Sequence, residues 1–235
     1  VNSIYNDMHP YLTEKEDFII FTSDRKGVRG GYGNGDGYFP DIMLTKVKKG
    51  RDSFKGARSM SGSFNTEFDE MAAGGSPDGS YLIYTTNEEF QVFNLKITYK
   101  APKKRSYPTA KPMEGVNGRN SNEMSATITN DGELLIFSSN RKGGFGGFDL
   151  WMSKKLPNGK WGKPINMGPD INTEFDETYP NFSNDQSFFT FFSNGLKGMG
   201  GFDLFKTEFS EELKIWTKPK NLGYPINTAY DDNTI

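Results

Sequence analysis

Short apolar runs separated by glycine-rich or Asp-Gly turns recur along the chain, and none is long enough for a helix. The most apolar are Phe18-Ile19-Ile20-Phe21, Tyr81-Leu82-Ile83-Tyr84, Leu134-Leu135-Ile136-Phe137 and Phe188-Phe189-Thr190-Phe191. Each is apolar at successive positions, which predicts strands covered on both faces. Just before three of them stand Asp78-Gly79, Asp131-Gly132 and Asp185-Gln186. Asp-Gly between apolar runs predicts a hairpin, because glycine takes positive φ without a Cβ clash. A shorter segment of small or apolar residues precedes each turn, as in Ser125-Ala126-Thr127-Ile128 and Pro180-Asn181-Phe182-Ser183. A third segment follows a glycine-rich loop: Asp41-Ile42-Met43-Leu44, Gln91-Val92-Phe93, Asp149-Leu150-Trp151 and Asp203-Leu204-Phe205. The fourth is expected to begin at an aromatic (Phe54, Tyr107, Trp161, Trp216) and to end in Asn-Met-Gly or Asn-Leu-Gly at Asn166 and Asn221.

These segments form a repeat. Asn65-Thr66-Glu67-Phe68-Asp69-Glu70 returns as Asn172 to Glu177, with degraded copies from Val1, Val116 and Ile226. Four strands per unit with no helical period predict an all-β fold: a β-propeller of four-stranded antiparallel blades. The chain is read as one propeller domain, 1–235, with blades about 1–63, 64–115, 116–170 and 171–225. Residues 226–235 are read as a closing strand or the start of a fifth blade. The expectation is a piece of a longer array.

Composition narrows the function. Lys plus Arg is 28 against 30 for Asp plus Glu, a net charge of −2, too neutral for a nucleic-acid coat. With no cysteine and one histidine, thiolate sites and most histidine catalysis are excluded. No apolar run reaches the roughly 18 residues of a membrane helix, so no membrane span and no nucleic acid are expected. No cofactor or metal is expected either. Asn34 and Asp36 lie in a glycine-rich run that lacks the spaced carboxylates of a calcium loop.

Phe137-Ser138-Ser139-Asn140-Arg141-Lys142-Gly143-Gly144-Phe145-Gly146-Gly147-Phe148-Asp149-Leu150-Trp151 resembles the TolB-type, WD-like propeller repeat. The variant it is most similar to occurs in OmpA-family cell-envelope proteins such as the PorE-like component of type IX secretion. Units one and four repeat the phrase in part. Unit two departs from it at Thr86-Asn87-Glu88, and unit four has Gly195 where Arg is expected. The resemblance implies a periplasmic, outer-membrane-associated, non-enzymatic scaffold for other cell-envelope proteins, with peptidoglycan reached through a domain outside this chain. The alternatives are a carbohydrate-binding or glycoside-hydrolysing propeller, or the accessory propeller of a peptidase.

Three sets of candidate residues follow. Arg25 with Asp41, and Arg141 with Asp149, flank the loop between strands two and three, and are read as structural clamps. Asp7, Glu70, Glu123 and Glu177 hold matching positions at the start of strand one. They would either ring one mouth of the channel as a binding site or cap backbone N–H groups of their own connections. Tyr32, Phe39, Phe145, Phe148, Met199 and Phe202 lie in the loops of that same end, and would form an apolar rim for a protein partner if exposed together. His9 matches Tyr179 of unit four, which points to packing.

Overall fold

A computed structural model describes residues 3–15, 18–26, 39–48, 53–60, 63–89, 92–102, 104 and 106–232. Among these the fold is all-β, with no helix. Blade 1 comprises β1 (Asp7–Leu12), β2 (Phe18–Ser23), β3 (Asp41–Lys46) and β4 (Arg58–Ser59). Blade 2 comprises β5 (Glu70–Gly75), β6 (Tyr81–Glu89), β7 (Val92–Tyr99) and β8 (Lys111–Pro112). Blade 3 comprises β9 (Glu123–Ile128), β10 (Leu134–Ser139), β11 (Asp149–Lys154) and β12 (Ile165–Asn166). Blade 4 comprises β13 (Glu177–Phe182), β14 (Phe188–Ser193), β15 (Asp203–Ser210), the added strand β16 (Ile215–Trp216), and β17 (Lys220–Asn221). Every pairing is antiparallel between sequence neighbours, except that β15 takes both β16 and β17. The sheets stand in a ring: a four-bladed β-propeller.

The hairpins form as their turn residues require. Gly79 and Gly132 sit at φ 71° and 75°, and Gln186 is forced to 60° at the matching site. The fourth strands start later than expected. Phe54 and Trp161 make only single bridges to Val47 and Lys155, and Trp216 lies in β16, so these aromatics close a hairpin extending from the third strand. The true fourth strands are two-residue edges, short enough to resist further pairing.

Packing between blades follows the alternation of the second strands. Ile20 meets Leu82 in one cluster, Ile83 meets Leu135 in the next, and Ile136 meets Phe189 in the third. In blades 2 and 3 one face of the second strand therefore points to the blade before and the other to the blade after, and in blades 1 and 4 one face meets a neighbouring blade, which is why no polar face appears in the sequence. Each of these six side chains is wholly buried, worth about 2 kcal/mol apiece. Three junctions carry a core of this kind among the described residues. Blades 1 and 4 share none, and a cleft lies between them.

Candidate binding site

One hydrogen-bonded unit is built four times at the end of the ring where each blade receives the next. An asparagine, buried in three cases and partly buried at Asn117, brackets one strand residue of the preceding blade. Asn65 Oδ1 accepts from Ile42 N at 2.8 Å while its Nδ2 donates to Ile42 O at 2.9 Å. Asn117 does the same to Leu95, Asn172 to Leu150 and Asn227 to Leu204. The acid five to six residues on folds back over its own connection. Glu70 accepts from Thr66 N (2.8 Å), Glu123 from Gly118 N (3.1 Å), Glu177 from Thr173 N (2.9 Å), Asp7 from Ser3 N (2.6 Å) and Asp232 from Thr228 N (2.5 Å). The second-strand hydroxyls of Ser139, Ser193 and Thr86 donate to the same carboxylates. Asn140, Asn194 and Asn87 accept from the N–H just before each acid. The repeated Ser-Asn phrase is thereby explained.

Glu70, Glu123 and Glu177 are completely buried. They cap the backbone of their own connections and do not form an exposed binding ring. Their environments differ. Arg141 Nη2 pairs with Glu123 Oε1 at 2.9 Å and also donates to Val116 O. Its guanidinium lies over Phe137 and Trp151, and burial lowers its pKa. Arg25 pairs with Asp7 at 2.5 Å. Burial pushes Asp7 up, but hydrogen bonds from Ser23, Arg25 and Ser3 outweigh it and bring it down to about 2.

Among the described residues, no arginine pairs with Glu70 or Glu177 as Arg141 does with Glu123. Burial raises both, Glu70 to about 7 against the opposing pull of the Thr66 and Thr86 hydrogen bonds, with Asp41 adding to the rise. The arginine's absence has a steric counterpart. A Cβ on Gly195, the residue matching Arg141, would lie 1.9 Å from Thr173 Oγ1. In blade 3 the residue matching Thr173 is Gly118, and there is room.

This corrects one clamp expected from sequence: Arg141 holds Glu123 and not Asp149. Asp149 is instead bound by its own loop, accepting from Phe145 N at 2.6 Å and Gly146 N at 3.1 Å, and from Asn166 Nδ2 at 2.9 Å. Asp41 is likewise buried, and Ser59 donates to its Oδ2. Arg25 forms an ion pair with Asp7. The loop glycines serve close approach: a Cβ on Gly146 would lie 2.2 Å from Phe175 O.

Of the rim residues, Phe145 and Met199 are half exposed, while Phe148, Phe202 and Phe39 are partly covered. Phe148 and Phe202 dock the next connection through their backbones, each accepting from the following acid's N–H. Tyr32 lies outside the described residues. The structure adds four aromatics that sequence reasoning passed over: Tyr5, Phe68, Phe175 and Tyr230, 38, 38, 51 and 81% exposed. They are one position, the aromatic inside the repeated phrase, and the repeat alignment alone could have singled them out. Phe175 and Tyr230 each arise where the loop of the preceding blade, bearing Phe145 or Met199, meets the connection.

A cleft lies between blades 1 and 4, a cavity of about 480 Å³. His9 and Tyr179 stack across it with ring centroids 5.1 Å apart. Burial pushes His9 down to about 4 and Tyr179 up to about 12. Among the described residues, no group of three His, Asp or Glu side chains stands ready for a metal.

No family model and no curated protein matches the sequence. Solved structures do match in fold. TolB from Acinetobacter baumannii aligns over 92% of this chain with a TM-score of 0.58 at 15% identity. The chain spans 44% of that protein, less than half its length. A putative TolB from Agrobacterium tumefaciens aligns over 94% of this chain and 82% of its own, with TM-score 0.52 and 13% identity. A puromycin-hydrolyzing peptidase from Mycobacterium tuberculosis aligns over 95% of this chain and 30% of its own, with TM-score 0.50 and 9% identity. The fold is that of a TolB-like propeller.

Proposed function

We propose that this TolB-like propeller is a non-enzymatic protein-binding scaffold of the bacterial cell envelope. The observation that carries the reading is the exposed aromatic repeated at one end of the ring. Tyr5, Phe68, Phe175 and Tyr230 are 38, 38, 51 and 81% exposed, and the N–H of each donates to the hydroxyl two residues before it. A large part of each ring's surface is left uncovered by the blades. Together with Phe145 and Met199 these side chains supply the apolar, aromatic anchors that protein interfaces favour. The burial of Glu70, Glu123 and Glu177 in backbone caps supports a binding role over paired-carboxylate hydrolysis, which needs two carboxyl groups facing a substrate. The finer assignment, to the periplasm, the outer membrane and a peptidoglycan-associated or type IX secretion component, rests on the resemblance of the Phe137–Trp151 phrase.

The test is a photo-crosslinking residue placed at Phe175 in the protein expressed in its native cell. A discrete crosslinked partner is expected, reduced about tenfold or more by Phe145→Ser with Tyr230→Ser, the loss expected for hot-spot side chains. The melting temperature should not move, because these rings are exposed. No partner, or a partner indifferent to the two substitutions, would overturn the proposal, as would turnover of peptide or glycoside substrates.

A further inference from the structure

The cleft between blades 1 and 4 is bounded by the same two surfaces that meet at each internal junction, here held apart. The forward face of blade 4 presents Thr190 and Leu204, and the backward face of blade 1 presents Ile19 and Leu12. At the other junctions the matching side chains (Ile20, Ile83 and Ile136 on one side; Leu82, Leu135 and Phe189 on the other) are wholly buried. Ile226 makes the difference plain. Its counterparts Phe64, Val116 and Ile171 are 2, 0 and 2% exposed inside junction cores, whereas Ile226 is 54% exposed.

The wall of blade 4 also departs from the repeat at the cavity. Where blades 1 to 3 carry Thr22, Thr85 and Ser138, whose hydroxyls bond across or within the junctions, blade 4 carries Phe192. Where they carry isoleucine, blade 4 carries Thr190. Polar and apolar positions are exchanged on this wall alone. The inner end is framed by His9 and Tyr179 at φ 51° and 48°, each preceding a proline. Two left-handed non-glycine residues cost about 1–2 kcal/mol each, and such strain gathers at functional sites.

We infer that this cleft binds a short extended segment of a partner polypeptide, laid between β1 and β13 with an aliphatic side chain against Leu204, Phe192 and Ile19. It rests on the protein-binding reading above but uses a different surface. Size argues for it: a residue in a packed sheet fills about 160 Å³, from a rise of about 3.3 Å, a strand spacing of about 4.8 Å and a sheet spacing of about 10 Å. A cavity of about 480 Å³ thus has room for at least about three extended residues and is too small for a four-stranded blade. The walls argue for it too. β1 and β13 are the terminal strands of their sheets, and such edges recruit extended peptides through backbone groups. Asn181 and Asn184 stand at the cleft, and asparagine amides already bracket strand backbone at Ile42, Leu95, Leu150 and Leu204.

The probe is a fluorescein-labelled, end-capped heptapeptide with the sequence of Glu123–Thr129. That strand is chosen because it lies between two blades, with Ala126 and Ile128 buried on one side and Ser125 and Thr127 bonding the next blade. Saturable anisotropy binding is expected, weakened about tenfold or more by Thr190→Trp, which fills the cavity, a loss of about 1.4 kcal/mol. Asn181→Trp, an exposed position, should do the same without touching the core. Phe145→Ser should leave peptide binding unchanged. Absent binding, binding by the tryptophan variants as tight as by the wild type, or concentration-dependent dimers whose formation excludes the peptide would overturn the inference. Each of these outcomes leaves the Phe175 crosslink, and the scaffold reading, standing on its own result.

Discussion

Glu123→Gln is expected to destabilise the protein by about 3 kcal/mol at pH 7, while Glu70→Gln at the matching position of the neighbouring blade stabilises it. In blade 3 the carboxylate is the partner of a largely buried guanidinium. Removing one member of such a pair leaves the other charge uncompensated, which costs about 3–5 kcal/mol in comparable sites. In blade 2 the residue matching Arg141 is Glu88, and burial raises Glu70 from 4.5 to about 7. The folded state therefore holds a proton that the unfolded chain has released between about pH 4.5 and 7. Stability then falls as pH rises through that window, by up to about 3 kcal/mol at 1.36 kcal/mol per unit.

Glutamine keeps the fold-back. Its carbonyl can accept from Thr66 N, and its amide can donate to the Thr66 and Thr86 hydroxyls, which rotate to accept. His9, lowered to about 4, acts in the opposite sense, adding stability as pH rises from about 4 to 6.5. The measurement is therefore the difference between wild type and Glu70→Gln in urea unfolding at pH 5, 7 and 9. That difference should be small at pH 5 and favour the variant at pH 7 and above. If both glutamine variants shift stability in the same direction at pH 7, the assignment of the arginine as the deciding neighbour is wrong.

Asn172→Ala should cost about 2–4 kcal/mol, among the largest single effects available outside the apolar core. The side chain satisfies Leu150 N and Leu150 O at 2.8 and 2.9 Å and also bonds Asn166 Oδ1. Leu150 is wholly buried, so water cannot replace both bonds, and a buried unsatisfied backbone group costs about 1–3 kcal/mol. Asn172→Asp should be no better, because its carboxylate cannot donate to Leu150 O. Asn227→Ala removes the same bracket from Leu204, but beside the cleft, where Ile226 already meets solvent. It should speed hydrogen exchange at Leu204 and residues 227–232 with little change in global unfolding. Equal global losses in the two alanine variants would show that the last connection is as firmly built in as the internal ones.

The strands, the Asp-Gly hairpins and the repeat could be read from the chain because each depends on residues close in sequence. Gly79 and Gly132 take positive φ whatever the neighbouring blade does. The doubly apolar second strands announced two covered faces before any coordinate. Partner choice was less accessible. Arg141 lies eight residues from Asp149 and eighteen from Glu123, yet it pairs with Glu123, because the loop amides of Phe145 and Gly146 had already claimed Asp149. The asparagine bracket was visible as a repeated letter, but its purpose was not, since Asn172 and Leu150 meet only once two blades pack.

Local backbone preference and apolar alternation thus wrote the blades into the amino-acid order, since both act over a few residues. Which acids are neutralised, which aromatics face water and where the ring leaves a cleft were settled only by packing blade against blade. Glu70 and Glu123 occupy the same place in the repeat and acquire different chemistry because one residue nearby, Glu88 in one blade and Arg141 in the other, differs. Ile226 reads like Val116 and Ile171 in the sequence but is exposed, because burial requires a neighbouring sheet and not merely an apolar side chain.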